Sequence, residues 1–470
     1  MKKNFDRQKL FKKKLDYETA KKKKIQSLMA RSKTKKQQIL DRKRRLHDLY
    51  PESKTHGSTT SKDIESRLEQ TVTQINKRMD GWINEFEKSA VENQIRYLKC
   101  IRVSLSFLGN GDFNGLIDKH AFIQQLTKML KKSAPREFIF EITWILVNLS
   151  TKITHQTTIH TMIKKIPFIL SCDPEIANMG VLLCGNIGTN IQSNREYMYQ
   201  REIGTRLCEL FYKITDQSIR DNIIWAFSTM FYMLPTQTYE LSSKPLSILI
   251  NTLSQNPKPD VVFDALIGLR HILTNIKQIK QETFKHIDVF KPLLDSEFFE
   301  IVCSSLEILS ILLETPEDFQ HLLKHIPFRT FTNLLESQNS YIQKYISCLF
   351  YTITLKKNPH ITKKQIILLS KLAPTQELAL IALANLVIFN DSYIKILIDN
   401  SLFDLFYEFL NHDSHAYVYF SAEAINKILD TKHRSLVVKK IDVQTIDKLH
   451  LHPNSEIFMI INQIFSKLNN

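Results

Sequence analysis

FIFEITWILVNLS (138–150), MGVLLCGNIGTN (179–190) and DNIIWAFSTM (221–230) each read as one apolar helix. The three stand at nearly the same phase of a long repeat. Trp144 and Asn148 are four residues apart and share a helix face. Asn186 follows Leu182 by the same step, and Thr229 follows Trp225. Aromatic-then-amide pairs on parallel helices can line a groove for an extended peptide. The amide fixes the peptide backbone, and the indole walls pack the stems of Lys or Arg side chains.

Outward from these segments the same phase is marked by Asn148, Asn186, Thr229, His271, Ile311, Thr352, Asn385 and Lys427, at intervals of 33 to 43 residues. A period near 40 with about three helices per unit is the pattern of an armadillo or HEAT solenoid. The expected fold is all-α, a solenoid of about ten units. The apolar share is 43% of 470 residues, with 28 Phe, which supplies a continuous core. Only 10 residues are Gly, and no strand-and-turn rhythm appears. Pro257, Pro259, Pro292, Pro327 and Pro374 fall between helices or at their first turns.

The net charge of +16 is uneven. Residues 1–50 hold 19 Lys+Arg against 5 Asp+Glu, while the other 420 residues are near +2. This is a basic arm on a nearly neutral body, and such an arm seeks an acidic partner: nucleic acid, an anionic membrane or an acidic protein surface. Residues 1–46 lack the apolar area to fold alone, so the arm is disordered, or helical when bound. Residues 47–70, with Pro51, Gly57 and a Ser/Thr cluster, read as a flexible linker. The solenoid then occupies 71–470. The six cysteines form no CxxC pair and mostly sit in apolar helices, as free thiols of a reducing compartment do. No signal-peptide core and no membrane-length apolar run is present, so membrane insertion is not expected. GNGDFNG (109–115) lacks the GK[ST] ending of a phosphate loop, and no HExxH, GxSxG or paired-carboxylate arrangement occurs. Neither an enzyme nor a cofactor is expected.

The two parts together resemble the importin-α (karyopherin-α) family, which adapts nuclear localisation signals to importin-β. RQKLFKKKLDYETAKKKKIQSLMARSKTKKQQILDRKRR (7–45) is similar to that family's importin-β-binding segment. The features in register are Phe11 and Lys12, the basic block Lys21, Lys22, Lys23 and Lys24, the cluster Arg31, Lys33, Lys35 and Lys36, and the terminal Lys43, Arg44 and Arg45. PREFIFEITWILVNLS, MGVLLCGNIG and RDNIIWAFSTM resemble the second, third and fourth armadillo units. PDVVFDALIGL, YIQKYISCLFYTIT and IDKLHLHPNSEIF resemble the fifth, seventh and tenth.

The resemblance implies a right-handed superhelical armadillo solenoid whose major groove holds a cargo signal. The residues implied there are Trp144, Asn148, Asn186, Asn190, Trp225, Thr229 and Asp264. A minor groove would use Thr352 and Asn385. It also implies that the arm binds importin-β, and that Lys43–Arg45 fall back into the groove when importin-β is absent. The implied partners are importin-β, basic cargo proteins and the export receptor with Ran-GTP, for a protein that shuttles between cytoplasm and nucleus. Nucleic acid is not an expected partner on this reading. Several positions depart from the family. Leu182 and Thr229 stand where Trp and Asn are expected, Asn190 replaces an acidic residue, and Lys152 replaces a glycine. Cys348 and Ile381 stand where the minor groove's Trp residues belong, and Thr352 replaces an Asn. Weak binding of simple basic signals follows from these departures. The alternative reading is an armadillo scaffold for another kind of protein partner, with the arm on nucleic acid.

Overall fold

The computed structural model describes residues 77–469, apart from 80, 87, 108–119, 152, 154, 235–236, 256, 274–275 and 357–359. The basic arm, the whole linker, residues 71–76 and Lys152 lie outside the described residues. The chain divides into two compact units, with the boundary at Asn194 and Arg195.

In the first unit, α1 (Val91–Phe107) is followed by α2 (His120–Met129) and α3 (Arg136–Ser150), then α4 (Gln156–Ile163), α5 (Ile166–Leu170) and α6 (Pro174–Gly188). The long helices α1, α3 and α6 pack in succession, with the shorter ones against their backs. Phe86 is fully buried at the start of this core, edge-on to Phe122 and stacked with Phe138. Helix α6 has a defined start. Asp173 accepts hydrogen bonds from the Glu175 and Ile176 backbone N–H groups, and Pro174 sits at the first position, where no N–H is needed. Gly180 admits the close approach of α5. A Cβ there would lie 2.8 Å from Ile169 Cγ2 and 3.1 Å from Leu170 Cδ2.

Helix α7 (Gln192–Gln200) carries the boundary, and the second unit continues the three-helix rhythm. It runs α8 (Ile203–Lys213), α9 (Gln217–Met230), α10 (Tyr239–Ser254), α11 (Pro259–Leu273), α12 (Lys277–Phe284), α13 (Phe290–Leu294) and α14 (Phe299–Leu312). It continues with α15 (Pro316–His325), α16 (Phe328–Leu335), α17 (Ser340–Thr354), α18 (Lys363–Leu372) and α19 (Glu377–Phe389). It ends with α20 (Ser392–Asp399), α21 (Leu402–Glu408), α22 (His415–Leu429), α23 (Arg434–Val437), α24 (Val443–Lys448) and α25 (Ser455–Asn469). Here α9, α11, α14, α17, α19, α22 and α25 pack each on the next.

Local chemistry explains the breaks. Asp216 and Asn339 cap α9 and α17, and capping boxes at Thr315–Asp318 and Thr362–Gln365 open α15 and α18. Pro259 begins α11, while Pro257 and Pro374 lie outside the helices. The repeat relaxes at α10, one 16-residue helix in place of two short ones. Pro245 lies inside it and removes one N–H from its ladder. Tyrosines tie successive repeats together at their loops. The Tyr199 hydroxyl accepts from Thr238 N, Tyr393 from Ile361 N, and Tyr407 from Asp442 N.

Candidate functional site

Each unit holds its own share of the residues singled out from the sequence. In the first unit Trp144 is half-buried on α3, and the Phe140 ring meets it edge-on at 5.3 Å. The guanidinium carbon of Arg102, on α1, lies 4.6 Å from the centre of the Trp144 ring. Arg102 Nε donates to Glu141 Oε2 at 2.7 Å. The Glu141 side chain is only 4% exposed and that of Arg102 16%. Burial pushes the Glu141 carboxyl above its usual range, and the Arg102 charge and hydrogen bond oppose that shift. One turn outward, Lys99 pairs with Glu137 on the surface.

The amides of this unit face the preceding helix. Asn186 Nδ2 donates to the Val147 carbonyl and to Ser150 Oγ, both at 3.1 Å. Asn190 Nδ2 donates to the Ser150 carbonyl at 3.3 Å. These amides reach the last turn of α3 from one repeat away, where the Val147 carbonyl also accepts from Ser150 Oγ at 2.7 Å. Asn148 is buried on α3, and Leu182 is buried at the position where the repeat elsewhere carries tryptophan.

In the second unit Trp225, Thr229 and Asp264 are all buried, Trp225 to 5% exposure. Thr229 Oγ1 donates back to the Ala226 carbonyl in its own helix. Thr352 is half-buried and bonds the Cys348 carbonyl, while Asn385 is buried and donates to Thr354 Oγ1 at 3.4 Å. Ile381 is fully buried. Between these groups Arg270, on α11, gives Nη1 to both oxygens of Glu307, on α14, each at 3.1 Å. Their side chains are 8% and 12% exposed. Tyr345, on α17, feels the Glu307 charge, and burial raises its phenol well above the usual value.

Arg102, Glu141, Arg270 and Glu307 are absent from the sequence-based site. A signal for them does exist. Opposite charges recur one repeat apart, 39 residues for Arg102–Glu141 and 37 for both Arg136–Asp173 and Arg270–Glu307. The six cysteines are free, and burial drives the Cys208 thiol up to about 12. Among the described residues no His/Cys/Asp/Glu group could hold a metal ion, and no helix is long and apolar enough to cross a membrane.

No protein-family model and no curated protein sequence matches the chain. Among solved structures, an engineered protein from a structural genomics consortium aligns with TM-score 0.70 and 16% identity, over 83% of this chain and 99% of its own. A designed armadillo repeat protein aligns with TM-score 0.43 and 19% identity, over 48% of this chain and 100% of its own. A computationally designed armadillo repeat protein for modular peptide recognition gives TM-score 0.43 and 18% identity, over 47% and 99%. The described residues form an all-α solenoid of stacked helical repeats.

Proposed function

We propose that this chain is a non-catalytic adaptor of nuclear import, whose armadillo body binds basic peptide signals and whose arm binds importin-β. One observation of the site supports this reading most directly. A guanidinium already lies over the Trp144 indole beside a buried carboxylate, so this surface has the chemistry that takes a Lys or Arg side chain. The arm adds the second half. Its basic blocks, from Lys12 to Arg45, stand in the order of an importin-β-binding segment. On this reading the chain shuttles between cytoplasm and nucleus and leaves the nucleus with the export receptor and Ran-GTP. The rival scaffold reading draws on the same arm, since so concentrated a charge also attracts nucleic acid.

The test is association of the chain with importin-β at physiological salt, with and without residues 1–46. Binding that is lost with the arm and reversed by the GTP form of Ran supports the adaptor. Undiminished binding by the body alone, or an arm that binds RNA but not importin-β, overturns it.

A further inference from the structure

We propose that Trp144 and Glu141 form a cation slot that the chain keeps closed with its own Arg102. A lysine or arginine of a bound peptide then enters only by displacing that guanidinium. This rests on the peptide-binding reading above and adds regulation to it.

The slot is built from two neighbouring long helices of one unit. Helix α3 supplies the indole and, three residues before it, the carboxylate; α1 supplies the cation. Phe140 fixes the indole from the side. The charged groups around Glu141 are Arg102, Lys99 and Glu137. A carboxylate with 4% of its side chain exposed needs a cation close by, because burial disfavours its charge. An indole face and a buried carboxylate together complement either a guanidinium or an ammonium. The slot therefore admits a peptide cation by the same chemistry that holds Arg102. Arg102 has the advantage of being tethered, so its local concentration beside the slot is high. A peptide overcomes this only if it brings other contacts along the helices, and an isolated basic residue does not suffice. Arginine should displace Arg102 better than lysine, since the planar guanidinium stacks on the ring as Arg102 does.

The experiment is calorimetric titration of the full chain with an end-blocked lysine-rich pentapeptide. A norleucine counterpart of the same length serves as control. Arg102→Ala empties the slot but leaves Glu141, and is expected to tighten binding of the lysine peptide by about three- to thirtyfold. Adding Glu141→Gln to that variant should remove most of the gain. The norleucine peptide should not respond to either change. Arg102→Lys keeps a partner for Glu141 while covering the indole less completely, so a smaller gain in the same direction is expected even if the alanine variant folds poorly. An unmodified chain that binds the lysine peptide, with neither variant binding it more tightly, overturns the closed slot and leaves the peptide-binding reading standing. Failure of the unmodified chain and of both variants to bind overturns both.

Discussion

Arg102–Glu141 and Arg270–Glu307 are the same device put to different ends. Each joins an arginine on one long helix to a glutamate on the next. Arg270 gives one nitrogen to both carboxylate oxygens, with both side chains at or below 12% exposure. Arg102 meets its glutamate through Nε, with its plane against a half-buried indole. A pair whose arginine gives one nitrogen to both carboxylate oxygens, with no aromatic face beneath it among the described residues, is a fixed part of the stack. An arginine laid over a half-buried aromatic face, itself 16% exposed, can be exchanged for another cation. The surroundings of an ion pair, more than its length, set what it can do.

The contrast breaks most readily at Arg270. Arg270→Ala leaves Glu307, at 12% side-chain exposure, without the arginine nitrogen that both its oxygens share, and should destabilise the second unit by up to about 3–5 kcal/mol. Arg102→Ala should cost less, because Lys99 lies near Glu141 and water can reach the vacated slot. Chemical denaturation of both variants measures the difference. Equal losses would make the two pairs equivalent.

The amides sharpen the same point. Asn186→Ala removes the amide's bonds to Ser150 Oγ and the Val147 carbonyl, which keep the bond between them, and should cost about 0.5–1.5 kcal/mol, with Asn385→Ala, at one longer bond, at the lower end. Here the limits of the sequence are physical. The repeat period was legible because core packing demands an apolar face at fixed spacing, and it located α3, α6, α9, α17 and α19. An asparagine in mid-helix is also legible as unusual. Its partner is not, because Ser150 is 36 residues away and becomes a neighbour only when two repeats stack. Trp144 and Trp225 likewise share a motif, yet one lies half-buried under an arginine and the other is sealed in the core. That difference depends on which helices flank them. The arm, whose residues carry much of the resemblance, lies outside the described residues.

Glu377 provides the comparison with a half-buried glutamate whose close neighbours are Ser414 and His412. Its Oε1 is buried without a hydrogen bond, and burial raises its carboxyl, with the Ser414 hydroxyl and His412 acting against the shift. A raised carboxyl contributes stability that is fully present below the ordinary value of 4.5 and is lost as pH rises through the folded value. Glu377→Gln cannot lose that contribution. The variant should therefore gain on the unmodified chain as pH rises above 4.5, by about 1 kcal/mol or less at neutral pH. Melting curves from about pH 3.5 to about pH 7 measure it. A difference that does not change with pH would mean that the carboxylate is already well solvated or paired.

Lys99 gives the smallest effect and the finest discrimination. Its pair with Glu137 has both side chains about half exposed, at 47% and 54%. A pair of that kind is worth roughly 0–1 kcal/mol, so Lys99→Ala should barely move stability. Its second influence is on the slot. The Lys99 charge helps hold the Glu141 proton off, acting in the same direction as Arg102. Removing it raises the Glu141 carboxyl further and weakens the attraction that retains Arg102. A basic peptide would then meet two opposing changes: a guanidinium easier to displace, and a carboxylate less often charged. The 2.7 Å contact from Arg102 Nε favours the charged carboxylate, so the first change should dominate and binding should tighten by less than about threefold. Salt separates this from a packing effect. The Lys99 contribution acts through solvent and should vanish as the Debye length falls from roughly 10 Å at 0.1 M to 3 Å at 1 M. The loss caused by Arg270→Ala, at a pair only 8% and 12% exposed, should persist across most of the same range. A Lys99→Ala effect on peptide binding that survives high salt would show that Lys99 shapes the slot by contact, and would remove the electrostatic link between the surface pair and the buried one.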